Sequence, residues 1–339
     1  MKAAVARNKD IVLEDVVKPK AGPGEVVLKV RYCGICGSDV HRFEAGGFSD
    51  GAIYGHEAYG LIEEVGEGVE GWKKGERAVV IAYEPCRKCR WCRQGEYQIC
   101  LQKTWIGLGT NPGGFAEYVK AFATMFVRVP EQVSERAATL TEPLAVALHA
   151  VRSSPIRVGD TVAIIGTGPI GLLILQCLKG AGARTVGVIE AARARRDLAA
   201  RLGADVIFAP DTKNIGFEMT KALGTEPDMV FDCAGGTSTL QGAIDMVRPH
   251  GHVILVGVSM EPVPILPIQW QRKEAVLKTS IAYRDEFPLA LEWMALGKID
   301  VESLISDIIP LKEVGPTVKA LNRPNQQIKI LIDPALDHI

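Results

Sequence analysis

A glycine-rich segment near the middle of the chain limits the fold more than any other feature of the sequence. Gly166, Gly168 and Gly171 are spaced G-x-G-x-x-G. The first two follow the apolar run Thr161–Ile165, and the third lies in the first turn of a helix predicted over Pro169–Lys179. The first two glycines allow a tight turn and the close approach of a pyrophosphate, and the third lets helix and strand pack closely. The amino terminus of the helix then faces the phosphate charge. The segment predicts a dinucleotide-binding strand, turn and helix, with a plain turn as the alternative.

The residue after the next predicted strand indicates which dinucleotide binds. Glu190 follows the apolar run Thr185–Ile189. A carboxylate at this place can accept hydrogen bonds from both hydroxyl groups of the adenosine ribose, and it would repel a 2′-phosphate. Glu190 therefore predicts NAD as the cofactor, and a surface glutamate beside a plain turn is the alternative.

Strands and helices continue to alternate after this segment. Further strands are predicted at Val206–Phe208, Met229–Cys233 and His252–Val256, and helices at Ala192–Leu202 and Thr239–Val247. Alternation of this kind predicts a parallel, doubly wound sheet with helices on both faces.

The two ends of the chain differ from this central part. Glycines and prolines separate short strand-like runs in the first part, which predicts a β-rich domain. These runs are Ile11–Val17, Glu25–Arg31 and Ala58–Val65. A later helix at Pro288–Leu296 and a strand at Ile328–Ile332 are expected to return to that domain. The predicted fold is therefore α/β, with a β-rich domain at 1–150 and 285–339 and a doubly wound, Rossmann-type cofactor domain at 151–284.

Four of the eight cysteines lie close together in the sequence and indicate a metal site. Cys86, Cys89, Cys92 and Cys100 are spaced C-x2-C-x2-C-x7-C. Four thiolates complete a tetrahedral zinc site and leave no position for a substrate, so the loop 86–100 is predicted to hold a structural zinc ion. Basic residues between the cysteines would offset the negative charge of the thiolates. The alternative is a zinc ribbon that binds nucleic acid through those basic residues.

A second group of metal-ligating residues falls in the predicted β-rich domain. Cys36 lies in the segment CGICGSDVH, and His56 and Glu57 follow in the segment GHE. Glu57, or the later Glu142, could supply an oxygen ligand. Sulfur, nitrogen and oxygen ligands with one water form the pattern of a catalytic zinc site. The spacing alone leaves open a structural role for a buried histidine.

Composition and charge argue against nucleic acid and membranes as partners. The 39 basic residues nearly balance the 40 acidic ones, and the formal net charge is −1, so neither nucleic acid nor an anionic membrane is attracted. The uncharged run Thr161–Leu178 contains glycines and a proline, which favour a strand, turn and helix over a membrane span. The first residues lack the apolar core of a signal peptide, so a cytoplasmic protein is expected.

Together these residues resemble the medium-chain zinc alcohol dehydrogenase family, in its butanediol and sorbitol dehydrogenase-like branch, over essentially the whole chain. The matching segments are CGICGSDVH, GHEAYG, the cysteine quartet, GGFAEY, TEPLAVALHA and GTGPIG, in the order of the family. The resemblance implies a GroES-like catalytic domain, a Rossmann domain that binds NAD, and hydride transfer to or from an alcohol. It also implies two zinc ions per chain, one catalytic and one structural.

The resemblance gives individual residues of the catalytic domain a role. Cys36, His56 and Glu57 would bind or closely approach the catalytic zinc, and Glu142 takes a place that is cysteine or glutamate in related enzymes. Asp39 would hold His56. Ser38 and His41 are expected to form the proton relay. Tyr83 and Trp105 are expected to line the substrate pocket.

The resemblance likewise implies which residues meet the cofactor. The glycine loop would bind the pyrophosphate, Arg195 would lie against the adenosine, and backbone after two later strands would meet the nicotinamide. The expected contacts are Gly166, Gly168, Pro169, Ile170, Gly171, Glu190, Arg195, Val256, Gly257, Val258, Ile281, Ala282 and Tyr283.

Departures from the sorbitol-type pattern narrow the expected substrate. Those enzymes have a tyrosine directly after SDVH and an arginine near the segment equivalent to Ser280–Ile281, and both touch the polyol. This chain has Arg42 and Ala282 instead. The segments EPLAVALHAV and IAYRDEF resemble bacterial butanediol dehydrogenases, and Glu142 stands where threonine dehydrogenases have an aspartate. A small secondary alcohol or vicinal diol such as 2,3-butanediol is expected first, a polyol such as sorbitol or xylitol second, and L-threonine third.

Two further expectations concern assembly and loss of activity. Relatives of this length form dimers or tetramers, so a homotetramer is expected, with a contact near Val253–Val258 and Pro262–Pro267.

A family member that only binds its ligand is the alternative to an enzyme. Against it, the chain keeps the expected zinc ligands together with both relay residues, Ser38 and His41.

Overall fold

The computed structural model describes residues 1–109, 111–323 and 325–338, which form two compact units. The first unit comprises Met1–Glu142, Phe287–Gly297 and Val301–Ile339, and the second comprises Pro143–Glu286 and Lys298–Asp300. The sequence predicts boundaries after residues 150 and 284, whereas the chain leaves and re-enters the first unit after residues 142 and 286.

The first unit is built mainly of short strands. Its strands are β1 (Lys2–Arg7), β2 (Asp10–Asp15), β3 (Glu25–Gly34), β4 (Glu57–Val65), β5 (Arg77–Val80), β6 (Tyr83–Glu84), β7 (Thr104–Trp105), β8 (Tyr118–Phe122), β9 (Phe126–Arg128), β16 (Ile305–Ile309) and β17 (Lys329–Ile332). Its helices are α1 (Gly37–Glu44), α2 (Arg90–Arg93), α3 (Glu135–Thr139) and α11 (Val314–Leu321). Helix α4 (Thr141–Ser153) begins in this unit and continues in the second, and α10 (Glu286–Ala295) begins in the second and continues in the first.

Strand β3 is the centre of the main sheet of the first unit. The order β16-β17-β3-β4-β5-β9 places β17 and β4 on either side of it, and β8 also pairs with it. Leu28 and Val30 are buried in the core while Lys29 and Arg31 point to solvent, which is the period of two expected for a strand. At its end Gly34 is in register with Glu57 of β4 and with Leu331 of β17.

In the second unit, strands and helices alternate along the chain. Its strands are β10 (Thr161–Ile165), β11 (Thr185–Ile189), β12 (Val206–Phe208), β13 (Met229–Asp232), β14 (His252–Leu255) and β15 (Val276–Thr279). Its remaining helices are α5 (Pro169–Gly180), α6 (Arg193–Arg201), α7 (Ile215–Leu223), α8 (Thr239–Met246) and α9 (Pro267–Lys273). All strands are parallel, in the order β12-β11-β10-β13-β14-β15. This is the Rossmann order, in which the ligand crevice lies at the carboxyl ends of the strands beside the first strand.

The structure adds elements that the sequence analysis does not predict. Helices α7 and α9 and strands β15 and β16 have no counterpart among the predicted elements. Strand β15 is exposed along its whole length and therefore lacks the apolar run that reveals a buried strand. The two outer strands of the sheet are β12 and β15. The predicted assembly contact at Val253–Val258 therefore begins in an interior strand, β14, where Val253 and Ile254 are fully buried. No helix among the described residues is long and apolar enough to cross a membrane.

Candidate active site

Cys36 is fixed where the central strand of the first unit passes into helix α1. Its backbone N–H donates to Oδ2 of Asp39 at 3.0 Å, so the carboxylate caps the first turn of the helix. Asp39 is fully buried, and burial raises the pKa of its carboxyl group. The short loop from β3 to α1 therefore presents the Cys36 thiol at the end of the strand.

A glycine turn places His56 and Glu57 at the start of the neighbouring strand β4. Gly55 has φ of +96°, and a Cβ atom there would lie 2.3 Å from the ring of Phe115, so only glycine fits. Nδ1 of His56 lies 3.6 Å from Oδ1 of Asp39, and neither atom has another partner within the described residues. With Nδ1 facing Asp39, Nε2 is the nitrogen available to a metal ion, as in histidine ligands that a carboxylate orients.

The ligand atoms of Cys36, His56 and Glu57 all lie within 4.8 Å of one another. Burial, with the nearby charge of Glu57, raises the pKa of the Cys36 thiol to about 12. A divalent cation would remove this penalty by compensating the thiolate and carboxylate charges. Buried sulfur, nitrogen and oxygen donors at this spacing fit a zinc ion.

Glu142 is the second carboxylate that could bind a metal ion beside Cys36 and His56. It lies in the first turn of α4 and is 9% exposed. Burial raises its pKa to about 8; His56 opposes this shift, while Glu57 and Cys36 add to it. Glu142 is close enough to interact with these groups, but it is outside the set of three whose ligand atoms lie within 4.8 Å.

A buried lysine that the sequence analysis missed completes the surroundings of Glu57. Nζ of Lys329 donates to both carboxylate oxygens of Glu57 at 2.8 Å and to the carbonyl oxygen of Ile35 at 3.0 Å. Gly34 leaves room for this contact, because a Cβ atom there would lie 2.0 Å from Oε2 of Glu57. The sequence contained a signal, since Lys329 is the one charged residue in the apolar run Ile328–Ile332.

The two predicted relay residues lie on helix α1. Oγ of Ser38 is buried and has no hydrogen-bond partner in the described part of the chain, so it can bond to a ligand. His41 is exposed and follows Ser38 by three positions, which places both side chains on one face of the helix. Helix α1 therefore carries a buried hydroxyl group and an exposed imidazole on one face.

The cysteine quartet forms a compact cluster in the first unit. The Sγ atoms of Cys86 and Cys92 are 3.9 Å apart, those of Cys89 and Cys92 3.5 Å, and those of Cys89 and Cys100 3.9 Å. A tetrahedron with Zn–S bonds of about 2.3 Å has S···S edges of about 3.8 Å. Backbone N–H groups of Lys88 and Cys89 donate to Cys86 and lower its pKa to about 6. Four sulfurs at these separations fit a closed zinc site.

The glycine loop of the second unit has the geometry expected for a dinucleotide site. Gly166 has φ of +87°, and a Cβ atom on Gly171 would lie 2.0 Å from the carbonyl oxygen of Gly166. Helix α5 begins at Pro169 directly after the loop. Its backbone N–H groups therefore point towards the place where a pyrophosphate would lie.

Glu190 lies beside this loop, where it is buried and accepts hydrogen bonds through both carboxylate oxygens. Its Oε2 accepts hydrogen bonds from the backbone N–H of Thr167 at 2.7 Å and from the Thr167 hydroxyl at 3.2 Å. Its Oε1 accepts one from the backbone N–H of Ala192 at 2.8 Å. These hydrogen bonds fix the Glu190 carboxylate in place directly after strand β11.

Comparison with known proteins assigns the family. Residues 22–131 match the alcohol dehydrogenase GroES-like domain, and residues 169–296 match the zinc-binding dehydrogenase family. The (R,R)-butanediol dehydrogenase of Bacillus subtilis (strain 168) is 36% identical over 349 residues, which cover 98% of this chain and all of that relative. The chain belongs to the medium-chain zinc-dependent alcohol dehydrogenase family. It is thus an oxidoreductase with a GroES-like domain and a Rossmann domain.

Other similar proteins agree with this assignment. The crystal structure of the Bacillus subtilis butanediol dehydrogenase superposes with a TM-score of 0.89 at 35% identity, covering 98% of this chain and 99% of that one. A Sinorhizobium meliloti 1021 protein solved with NADP bound gives a TM-score of 0.92 at 30% identity with the same coverage. The sorbitol dehydrogenase of Bacillus subtilis (strain 168) is 30% identical over 98% of this chain and 97% of that relative.

In this dehydrogenase the two predicted pocket residues contact each other. Tyr83 and Trp105 are opposite residues of β6 and β7, and their rings pack edge to face with centroids 5.4 Å apart. Tyr83 is 2% exposed, and Trp105 is half-buried. Arg42 donates to the carbonyl oxygen of Leu108 at 3.0 Å, which joins the end of α1 to the loop after β7.

The remaining predicted cofactor contacts of the dehydrogenase lie in the second unit. Nη1 of Arg195 is 3.9 Å from Oε1 of Glu190. The backbone N–H groups of Val256 and Gly257 donate to the carbonyl oxygen of Asp232 at 2.9 and 2.8 Å, so the turn after β14 is tied to the end of β13. The rest of the predicted set follows strands β14 and β15: Val258 and Ile281 are exposed, Ala282 is half-buried, and Tyr283 is 1% exposed.

Sequence analysis missed Arg196 and the side chain of Asp232. Arg196 donates to the carbonyl oxygen of Glu190 at 2.8 Å, which anchors the end of β11. The Asp232 carboxylate accepts hydrogen bonds from the backbone of Ala234 and Gly235 at 3.1 Å each. A charged residue at the end of an otherwise apolar strand is the signal that could have identified Asp232.

Proposed function

We propose that this enzyme transfers a hydride between NAD(H) and a small secondary alcohol or vicinal diol, of the 2,3-butanediol type, and its ketone. The main supporting observation is the buried Cys36, His56 and Glu57 cluster, whose neighbour Ser38 offers an unpaired hydroxyl group. The similarity to a butanediol dehydrogenase along the whole chain supports the substrate class.

The residues of the first unit have distinct roles in this reaction. When bound, zinc supplies the Lewis acidity that brings the proton of an alcohol within reach at neutral pH. Cys36, His56 and Glu57 would hold the ion, with Glu142 as the alternative oxygen ligand, and Asp39 keeps the His56 ring oriented. Ser38 accepts the hydroxyl proton at Oγ while its own hydroxyl proton passes on towards His41.

His41 then releases that proton to solvent, because it lies exposed on the same face of α1. Bound NAD+ supplies the hydride acceptor. Tyr83 and Trp105 shape an apolar wall of the substrate pocket, which suits a short carbon chain.

The second metal of the proposal is structural. Cys86, Cys89, Cys92 and Cys100 would bind one zinc ion with all four positions filled, so it takes no part in the reaction. Together with the catalytic ion this gives two zinc ions per chain, one tightly held and one exchangeable.

NAD is the proposed cofactor because of Glu190. The Glu190 carboxylate is held at the end of β11 by the N–H groups of Thr167 and Ala192. A 2′-phosphate placed beside it would meet a like charge. The pyrophosphate would bind at Gly166–Gly171, with the adenosine beside Arg195. The nicotinamide is proposed to meet the backbone at Val256–Val258 and Ile281–Tyr283.

A polyol such as sorbitol or xylitol is the second candidate substrate, since sorbitol dehydrogenases are also similar along the whole chain. Against it, Arg42 and Ala282 stand where sorbitol-type enzymes have residues that touch the polyol. L-Threonine ranks third, and a protein that binds without catalysis ranks last.

We also propose a homotetramer working in the cytoplasm, with the edge strand β15 in a subunit contact. Val276 and Leu277 of this strand are 48% and 41% exposed, and Leu266 nearby in sequence is 51% exposed. Exposed edge strands rich in apolar residues favour pairing with another chain.

An activity screen tests the substrate class. Purified enzyme is assayed with NAD+ against the 2,3-butanediol stereoisomers, simple secondary alcohols, sorbitol, xylitol and L-threonine. The highest kcat/KM is expected for a vicinal diol or a secondary alcohol. A higher value for sorbitol or xylitol would favour the second candidate, and no oxidation of any compound would favour the binding protein.

A further inference from the structure

The pair formed by Lys329 and Glu57 is the most deeply buried ion pair of the first unit among the described residues. The two side chains are 2% and 1% exposed. Lys329 uses all three of its N–H donors, two on the Glu57 carboxylate and one on the carbonyl oxygen of Ile35. Neither charge has access to water, so each depends on the other.

The sheet brings these two residues together across its central strand. Lys329 belongs to β17 and Glu57 to β4, and β3 lies between them. The two side chains meet where β3 ends at Gly34, the residue in register with Glu57. Because a Cβ atom on Gly34 would overlap Oε2 of Glu57, the gap exists only with glycine at this position.

The charges around Glu57 explain what a lysine does there. The Sγ atom of Cys36 lies within 4.8 Å of a carboxylate oxygen of Glu57, and the nearby Glu142 is 9% exposed. An isolated carboxylate in such surroundings is strongly unfavourable. Without a metal ion, Lys329 is the cation that compensates Glu57. With a metal ion bound, Glu57 would face two cations, the ion and Lys329, which would repel each other.

We propose that Lys329 is an internal counter-cation, which keeps the catalytic metal site assembled while no metal is bound and thereby limits the affinity of that site for zinc. Lys329 is thus a positioning residue that acts through Glu57. The inference rests on the proposed function in one respect, namely that Cys36, His56 and Glu57 hold a zinc ion.

The test compares wild-type enzyme with Lys329→Met, which keeps the length of the side chain and removes its charge. The exchangeable zinc is removed with a chelator, and elemental analysis checks that the zinc of the cysteine quartet stays. Thermal unfolding is then recorded without and with added Zn²⁺, and the zinc affinity is measured by competition with a chromophoric chelator.

The expected result has two parts. Without zinc, Lys329→Met should unfold several degrees below the wild type, because Glu57 then has no partner. The rise in Tm on adding zinc should be at least about 5 °C larger in the variant than in the wild type, since the metal takes over the missing charge. The zinc dissociation constant should fall by about tenfold or more, because the repulsion is gone.

Three further variants separate this role from packing. The double variant Glu57→Gln with Lys329→Met removes both charges and should regain most of the lost stability without zinc. Lys329→Arg keeps the positive charge, so its Tm should rise on adding zinc by the same small amount as that of the wild type. Lys120→Met is the matched control: it breaks a pair with Glu25 that is 2.7 Å long but 37% and 22% exposed, and it should leave the response to zinc unchanged.

Two outcomes would overturn the inference. One is an equal lowering of Tm in Lys329→Met with and without zinc. That result would show that the ion pair only stabilises the fold. The other is an unchanged or weaker zinc affinity in that variant. A wild-type enzyme whose Tm and zinc content show no exchangeable ion would instead refute the proposed zinc site, so the two failures are distinguishable.

Discussion

Replacing Glu190 should change which cofactor the enzyme uses. Two unit charges 4 Å apart interact by about 4 kcal/mol at an effective dielectric constant of 20. Arg195, with Nη1 3.9 Å from Oε1 of Glu190, offsets part of the repulsion that a 2′-phosphate would meet. With about a third of the repulsion offset in this way, about 2.7 kcal/mol remains, which corresponds to a preference for NAD+ in kcat/KM of about 10²-fold.

Glu190→Ser should erode that preference mainly by improving NADP+, because the repulsion disappears. The value of kcat/KM for NADP+ should rise by up to about 10²-fold. The loss of the acceptor for the N–H groups of Thr167 and Ala192 should affect both cofactors alike. The value for NAD+ should therefore fall by less than the value for NADP+ rises relative to it, through the lost hydrogen bond to the ribose, worth about 1 kcal/mol.

Steady-state kinetics with both cofactors at saturating alcohol measures these values. Arg193→Ala is the control: its side chain is 85% exposed and lies 3.8 Å from Asp197, so NAD+ kinetics should stay close to those of the wild type. The reasoning is refuted if the wild-type enzyme uses NADP+ as well as NAD+, or if Glu190→Ser leaves NADP+ kinetics unchanged.

Three more predictions concern the glycine loop, the cysteine quartet and assembly. Gly171→Ala should weaken NADH binding measured by fluorescence titration, because its Cβ atom would lie 2.0 Å from the carbonyl oxygen of Gly166. Gly242→Ala, with no atom near its Cβ, should bind like the wild type, and equal affinities would contradict the loop geometry. Cys89→Ser should lose one zinc ion per chain and lower Tm by about 5 °C or more, whereas an unchanged Tm would contradict a structural role. Light scattering should give about four times the chain mass of 36.6 kDa, and the mass of a single chain at micromolar concentration would exclude the assembly.

Features set by neighbouring residues could be predicted from the sequence. The strand Thr161–Ile165, the glycine turn and the helix from Pro169 follow one another in the chain, and their periodicity and turn residues determine them locally. The cysteine quartet spans few residues, and its spacing matches one chemistry. Such signals suffice for the fold class and for the two candidate metal groups.

Features that depend on pairing between distant segments could not be predicted in this way. Lys329 and Glu57 are 272 positions apart, and only the order β17-β3-β4 brings them together. Strand β15 forms the sheet edge although its side chains are exposed, because backbone hydrogen bonds to β14 determine it. The same pairing distinguishes two buried carboxylates: Glu57 forms an ion pair with Lys329, and no ion pair of Glu142 is found among the described residues.

The central claim is that Cys36, His56 and Glu57 hold a catalytic zinc ion that is independent of cofactor binding. Elemental analysis, turnover and NADH fluorescence titration of the wild type and Cys36→Ser test it together. The wild type should contain close to two zinc ions per chain, and Cys36→Ser should contain close to one, turn over no alcohol and still bind NADH. The same pattern is expected for His56→Ala. A Cys36→Ser enzyme that keeps both zinc ions and full activity would contradict the account, and one that loses NADH binding as well would show misfolding instead of loss of a ligand.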